Sequence, residues 1–578
     1  MRNLVARLFE RWESVINRGI ASYVRVLDVV MRQRKLTVCS AFVLLVVVVT
    51  LLGSRLRREF FPEVDAGAFE IYVRGTTGTR IEITEEKIAK VEKFLRETIQ
   101  DDLQLIISEL GVTADWSAAY TPNSGPMDSV IKVQLESERK RSAQEYVALL
   151  RAGFAKNPEF SALEFAFDAG GMIRGAMNEG KSTPINVRIR AKNPTVAHSI
   201  AENIQRAVTT IDGVVDCRIM QRLDYPEYII DVDRAKAADL GLDQSDIMKN
   251  VVAAINSSIQ FNKRNFWIDP VSQNQYFVGV QYPEGDIKSV ETLLDVPITS
   301  PVQNRSIPLR NLASLRRASV SAEVTHTNLQ ATIDLTMGVS GRDLGHVADD
   351  VTKAINAFGA PIKNAVWAPY DPSAQGTKKT LEGSKIELTG EYARMQDTFR
   401  NLGIGLILAS LLIYFLMVAL FKSYVTPIVI LAAVPIGIVG VIVMLYLTST
   451  AINVQSLLGV IFMVGIVVSN TVLLTDFAQK LRVEEKLTPT EAIKRAAAVR
   501  VRPVVMTALA AFFALLPMAL GLARGSEANT PLGRAVVGGL LAGLVTTLLV
   551  VPALYSLLVR DRKGGIDNSN LSLNELLA

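Results

Sequence analysis

The stretch from Ser423 to Thr475 reads SYVTPIVILAAVPIGIVGVIVMLYLTSTAINVQSLLGVIFMVGIVVSNTVLLT and holds no Asp, Glu, Lys or Arg. One helical crossing of a bilayer takes about 20 apolar residues. The stretch is therefore two crossings, near Tyr424–Leu447 and Val454–Thr475, divided by the polar break Thr448-Ser449-Thr450-Ala451-Ile452-Asn453. Working outward, uncharged runs recur at Leu402–Phe421, Pro503–Ala523, Ala535–Val559 and, far upstream, Leu36–Ser54. The sequence thus predicts six membrane helices, which excludes an ordinary cytosolic enzyme. With 62 Lys+Arg against 57 Asp+Glu in 578 residues, the net charge is only +5, too small for a strongly basic nucleic-acid binder. Two cysteines, Cys39 in an apolar span and Cys217 outside one, exclude a disulfide-dense scaffold. Three widely spaced His give no His-rich metal site. No P-loop and no Ser-His-Asp set is present, so the sequence signals neither an ATP-driven pump nor a hydrolase.

Lys and Arg collect on the cytoplasmic side of membrane proteins. They cluster here in residues 1–35 (Arg2 to Lys35), in the loop after the fourth span (Lys480 to Arg502) and in the tail (Arg560, Arg562, Lys563). All three fall on one side if six helices alternate. Both termini are then expected in the cytoplasm, with residues 55–400 opposite. Residues 1–30 place Leu4, Leu8, Trp12, Ile16, Ile20, Tyr23 and Leu27 on one helical face among arginines. Two readings stand: a helix lying in the headgroup region, or one packed on protein.

The large insert alternates strands and helices. Strands are predicted at Phe69–Val73, Leu103–Ser108, Val130–Leu135, Ile185–Ile189, Val214–Met220 and Tyr228–Val232. Helices are predicted at Thr84–Ile99, Ala143–Phe154, Val196–Ile211 and Gln244–Ile255, and a hairpin at Asn265–Ile268 with Gln275–Val280. Repeated split-βαβ units of this kind make small α+β subdomains.

The words and the layout together resemble the second half of the resistance–nodulation–division (RND) efflux transporters of the hydrophobe/amphiphile exporter group. The resemblance rests on EFFPEVDAGAFEIYVRGTTGTRIEIT (Glu59–Thr84), YIIDVDRAKAADLGLDQSDI (Tyr228–Ile247), LFKSYVTPIVILAAVPIGIVG (Leu420–Gly440), GIVVSNTVLLTDFA (Gly465–Ala478), RVRPVVMTALAAFFALLPMALG (Arg500–Gly521) and GSEANTPLGRAVVGG (Gly525–Gly539). It covers essentially the whole chain. The fold it implies is a six-helix membrane bundle with a large periplasmic α+β insert of ferredoxin-like porter subdomains and a docking subdomain. The expected parts are an interfacial helix (1–35), the family's helix 7 (36–54), porter subdomain 1 (55–180), porter subdomain 2 (181–224 and 321–398), a docking subdomain (225–320), helices 8 to 12 (399–560) and a tail (561–578). The implied unit is a half-transporter, either a split gene product or a fragment.

A proton relay needs ionisable groups at membrane depth. The family's relay uses an Asp pair in helix 4, a Lys in helix 10 and a Thr in helix 11. The Lys position aligns with Ser469, so that charge is missing, while Asn470, Thr507 and Arg500 match the family pattern. The same small polar residues also serve as ordinary glue between membrane helices. Asp476 is a further candidate, or a solvated helix end. For the substrate cleft the resemblance points to the region Leu103–Leu135, with Trp116 and Tyr120 on one side and Phe165, Phe167, Met172 and Met177 on the far wall. Trp116 and Phe165 are equally core candidates. The hairpin, with Phe266, Ile268 and Asp269, aligns with the family's arm that enters a neighbouring docking subdomain.

The resemblance implies no cofactor. It implies as partners a complementary half carrying helices 1–6, a homotrimer-like assembly, a periplasmic adaptor, an outer-membrane channel and hydrophobic or amphiphilic small molecules driven out by protons across the inner membrane. No nucleic-acid partner is expected. The rivals are a non-pumping assembly subunit or fragment, and heavy-metal efflux, for which Met127, Met172, Met177 and Met220 are the soft-ligand candidates. Protein-export machinery is a further rival, but it leaves the docking words unexplained.

Overall fold

The computed structural model describes residues 18–111, 123–170, 183–258, 265–283, 286–287, 289–300, 302, 305–372, 374, 378–522 and 525–559. Among them are six helices long and apolar enough to cross a membrane: Arg34–Arg55, Glu391–Phe421, Val425–Leu447, Val454–Glu484, Pro489–Leu520 and Thr530–Leu558. They are the first to sixth spans below. Several outrun the uncharged stretches, because helix ends are set by caps rather than by hydropathy. The fifth begins at Pro489, not Pro503: Thr488 and Glu491 form a capping box, and Pro503 sits inside the helix. The fourth begins after Asn453, whose side chain accepts from the Ser456 amide at 2.9 Å. The third and sixth spans touch through glycines. A Cβ on Gly440 would lie 2.2 Å from the Gly538 carbonyl oxygen, and one on Gly538 would lie 2.4 Å from Met444 Cβ. Such small-residue contacts let membrane helices approach closely. Residues 18–32 form a helix whose Leu27 is fully buried within the core of the bundle.

Between the first and second spans lie two larger sheets and three two-stranded pairs. In the first, β1 (Ala68–Arg74), β2 (Leu103–Leu110), β3 (Asp128–Leu135) and β4 (Glu164–Asp168) are ordered β2-β3-β1-β4 and pair antiparallel. Helices Ile81–Ile99 and Ala143–Lys156 supply the apolar stripe that covers it, with Ile88, Val91, Leu95, Leu150 and Phe154 packed on Ile71 and Ile131. The stripe's spacing of three and four residues is the helical period.

The second sheet opens with β5 (Ile185–Arg190), helix Pro194–Val208 and β6 (Val214–Ile219). A separate compact unit, Arg222–Glu323, is then inserted. Within it β7 (Tyr225–Val232) is paired much later with β12 (Ala313–Val320). Enclosed between them are helix Gln244–Ile255, the hairpin of β8 (Phe266–Ile268) and β9 (Gln275–Phe277), and the pair β10 (Pro297–Thr299) and β11 (Ser306–Pro308). Its core is Ile247, Val251, Val296, Ile298 and Leu309. The second sheet resumes with β13 (Thr325–Thr327), β14 (Gln330–Val339), helix Leu344–Ile355, β15 (Gly359–Lys363), β16 (Val366–Pro369) and β17 (Lys385–Gly390). Its order is β13-β14-β5-β17-β16-β15, with β6 also on β14. β17 runs directly into the second span, with Gly390 between them at φ 88°.

The segment after the first span ties this sheet to the bundle. The Ile452 amide donates to the Arg57 carbonyl at 2.7 Å, and the Glu59 amide to the Ile452 carbonyl at 2.9 Å. On the other side, the Arg58 amide donates to Asp343 Oδ2 at 3.0 Å and the Gly345 amide to the Arg58 carbonyl at 2.9 Å. Burial pushes the Asp343 carboxyl up. The amides of Arg58 and His346 and the His346 ring outweigh that and hold it below its ordinary 3.8.

Candidate functional site

The fourth span turns Met463, Val467, Asn470, Thr471 and Leu474 into the bundle. Asn470 meets the fifth span, where Thr507 Oγ1 donates to Asn470 Oδ1 at 3.0 Å. One residue on, Thr471 Oγ1 lies 3.2 Å from Thr547 Oγ1 of the sixth span and 2.8 Å from the Val467 carbonyl. Thr547 belongs to a π-helical turn, Thr546–Val550. Such a turn shifts the hydrogen-bond ladder by one residue, and the Leu548 carbonyl within it accepts from the Tyr23 hydroxyl at 2.9 Å. These groups are neutral, so they transmit hydrogen bonds but carry no charge of their own. Proton transfer at this depth would need an ionisable group from outside this cluster.

The structure brings together only two of the five coupling candidates, Asn470 and Thr507. Ser469 is exposed on the opposite side of the fourth span, one turn beyond Gly465, which has open space about it. Arg500 packs over the Phe477 ring at 4.6 Å, two turns before Thr507. Asp476 pairs with Lys480 at 3.2 Å, both side chains about half exposed. Thr471 and Thr547 escaped the sequence reading, and Tyr23 entered it only as part of the apolar face of the first helix. Thr471 with Thr475, one turn apart, and the Thr546-Thr547 doublet in an apolar helix were the available signals.

A cavity of about 770 Å3 lies where the two sheets meet the membrane helices. Its lining includes Phe60, Phe61, Val64, Val147, Arg151, Phe167, Arg342 and Gln455. A smaller pocket of about 350 Å3 is lined by Arg151, Phe154, Phe160, Phe165, Phe167 and Asp216. Arg151 and Phe167 border both spaces. Arg151 holds Asp216 with both ends of its fork, Nε to Oδ1 at 3.0 Å and Nη2 to Oδ2 at 2.7 Å. Its guanidinium carbon stands 4.9 Å from the Phe167 ring centroid, and the Phe167 amide donates to Asp216 Oδ2 at 3.2 Å. Asp216 sits in the left-handed region at φ 52°, where β6 shifts register against β14.

The expected cleft wall is therefore divided. Phe167 faces both spaces, while Phe165 stacks on Phe154 at 4.2 Å and borders the smaller one alone. Of the region Leu103–Leu135, the described residues 103–111 and 123–135 contribute no lining to either space, whereas the helix Ala143–Lys156 does. Trp116, Tyr120, Met172 and Met177 lie outside the described residues. Among the described residues no group of three or more His, Cys, Asp or Glu stands ready to hold a metal. Met127 is buried, and burial pushes the Cys217 thiol up to about 12.

In the inserted unit, Phe266, Trp267, Ile268, Tyr276 and Phe277 are all about half exposed on the hairpin. Asp269 closes its turn, accepting from the Ser272 hydroxyl at 2.5 Å and the Val271 amide at 3.1 Å, which together hold its carboxyl below the usual range.

The sequence profile of the AcrB/AcrD/AcrF family matches residues 2–559. The cobalt-zinc-cadmium resistance protein CzcA of Cupriavidus metallidurans is 24% identical over 527 residues, 90% of this chain and 47% of that protein. The multidrug resistance protein MdtC of Proteus mirabilis is 27% identical over 500 residues, 86% of this chain and 44% of that protein. The crystal structure of a heavy metal efflux pump superposes with a TM-score of 0.76 at 23% identity, covering 94% of this chain and 53% of that one. The chain spans about half the length of the curated relatives it matches.

Proposed function

Since the chain belongs to the AcrB/AcrD/AcrF family of RND transporters, we propose that it supplies the second half of a proton-driven exporter of hydrophobic or amphiphilic compounds. The complementary half, on the same polypeptide or another, provides helices 1–6 and the acidic pair that carries protons. In this reading the Lys/Arg-rich ends of the spans face the cytoplasm of an inner membrane. The two sheets form split-βαβ porter subdomains in the periplasm. The unit Arg222–Glu323 docks, as part of a trimer, to an adaptor and an outer-membrane channel. The observation that carries the reading is the cavity of about 770 Å3, in which Phe60, Phe61, Val64, Val147 and Phe167 stand among Glu63, Glu145, Arg151 and Arg342, together with a membrane cluster without ionisable groups. Apolar walls with placed polar and charged groups suit amphiphiles. Asn470 and Thr507 then relay conformation by hydrogen bonding to the partner's carboxylates. Proton-gradient-driven dye efflux in proteoliposomes tests it. The chain with its complementary half is expected to transport, and the 578-residue chain alone is not. Transport by the chain alone sinks the reading.

Heavy-metal efflux is the second reading, favoured by the likeness to CzcA. It predicts that cells expressing both halves gain tolerance to zinc or cobalt and none to dyes.

A further inference from the structure

Resting on the reading of the membrane cluster as part of the coupling path, we infer that Tyr23 is a positioning residue for it. Its hydroxyl stands in for a backbone amide that Pro552 lacks, and so fixes the turn that sets Thr547 against Thr471. The reason lies in the sequence. In a regular helix the Leu548 carbonyl would accept from the amide four residues on, but residue 552 is proline and has none. The proline ring also crowds that carbonyl. The sixth span answers with the π-helical turn Thr546–Val550, in which the Val551 amide reaches back five residues to the Thr546 carbonyl. The Tyr23 hydroxyl then donates to the Leu548 carbonyl at 2.9 Å. The side chains around this bond are apolar, with Ile20 and Tyr23 packed against Val501, Val504 and Leu548. A carbonyl left bare in such surroundings is costly.

The segment that carries Tyr23 is held to the bundle at three further points. Leu27 is fully buried in the bundle core. Asp28 pairs with Lys494 of the fifth span at 2.5 Å. Arg34 Nη1 donates to the Ser556 carbonyl at 3.1 Å, in the last turn of the sixth span, where carbonyls lack helical donors. Tyr23 and Arg34 therefore both serve carbonyls that the sixth span cannot satisfy by itself. From Tyr23 two short paths lead to the cluster. Thr547 adjoins Leu548 in the same turn, with its Oγ1 3.2 Å from Thr471 Oγ1. Val504, against which Tyr23 packs, offers its carbonyl to Thr507 Oγ1 at 3.0 Å. Without the hydroxyl, the Leu548 carbonyl turns towards another donor and Thr547 moves with it. The helix of residues 18–32 is thus a working part of the cluster and not only an anchor beside it.

Disulfide trapping reads the position directly. The full chain carries Thr471→Cys and Thr547→Cys, with Cys39→Ser and Cys217→Ser to remove its two free thiols. Copper phenanthroline is expected to join the engineered pair readily in membranes. Adding Tyr23→Phe is expected to slow the joining at least about three-fold while the protein stays folded. Pro552→Ala supplies the second measurement, because it returns an amide to the Leu548 carbonyl. Tyr23→Phe is expected to lower the thermal midpoint of the parent chain and to leave that of Pro552→Ala unchanged. A Tyr23→Phe chain that folds only together with Pro552→Ala is the same result in stronger form. An unchanged joining rate in folded Tyr23→Phe, or an equal fall in midpoint on both backgrounds, overturns the inference. Proton-driven dye efflux with the complementary half separates it from the reading beneath it. A several-fold lower maximal rate at an unchanged half-saturating dye concentration supports both. Slower joining with full efflux keeps Tyr23 as the residue that positions Thr547 and removes the cluster from the coupling path.

Discussion

Asn470 and Thr507 hold each other across two spans at 3.0 Å, and the value of that bond depends on whether the pair only packs or also couples. Hydrogen bonds between membrane helices contribute about 0.6 kcal/mol on average. Thr507→Val is therefore expected to lower the unfolding midpoint only slightly. If the pair couples, it cuts proton-driven dye efflux at least about ten-fold, and Thr507→Ser restores most of it. A Thr507→Val pump working at the wild-type rate reduces the pair to packing. Asp343 carries a different prediction. Its folded carboxyl is held below the ordinary 3.8, so the stabilisation is fully present above that value and is lost as pH falls through the lowered one. Thermal melts of wild type and Asp343→Asn are expected to differ by a constant amount above about pH 5, the difference shrinking below about pH 4 and vanishing only below the lowered folded value. Residue identities of this kind were only half legible in the sequence. Asn470 and Thr507 lie in motifs that the resemblance aligns. The contact of Tyr23 with the Leu548 carbonyl joins residues 525 positions apart, and no local pattern encodes it. Arg151 and Asp216 were invisible for the same reason: one lies on an ordinary amphipathic helix and the other on a short strand.

At the scale of elements, the glycines of the third and sixth spans decide whether the bundle closes. Gly538→Val would drive a side chain into Met444 and the Gly440 carbonyl, with a Cβ only 2.4 and 2.5 Å from them. Backbone cannot yield as a flexible side chain does, so a loss of about 1–3 kcal/mol or more is expected, read as a lower midpoint and poorer recovery of monodisperse protein. Gly465→Ala, with open space around it, is the matched control and is expected to fold as wild type. Spans were legible because lack of charge over a bilayer's width leaves few alternatives. Their ends were legible where a polar break marks them, as at Val454, and not where a side-chain cap extends the helix, as Thr488 with Glu491 starts the fifth span at Pro489. The strand β14 was hidden for another reason. Seven consecutive residues, Thr332 to Gly338, are buried, and a strand buried on both faces loses the alternation by which strands are read.

For the whole molecule, the inserted unit presents an arm whose apolar residues stay about half exposed. Trp267 and Phe277 are 54% and 59% exposed, an arrangement suited to burial against another subunit. If the proposed trimer forms, replacing both by Ser shifts the mass distribution towards smaller species while leaving the melting curve unchanged. A trimer that survives the double substitution counts against the arm as its fastener. The second span has a consequence of a different sort. It is one unbroken helix of 31 residues, continuous with β17 through Gly390. At about 1.5 Å per residue it is a rod of about 47 Å, against a hydrocarbon layer of about 30 Å. Its upper third therefore stands above the bilayer, and whatever angle the rod takes among its neighbours is magnified there. Pivoting by about 5° around the Phe421 end would sweep Glu391 through about 4 Å, roughly the width of a methyl group. The rod is a lever, so adjustments too small to unpack the helices at its foot become displacements of molecular size at the sheets.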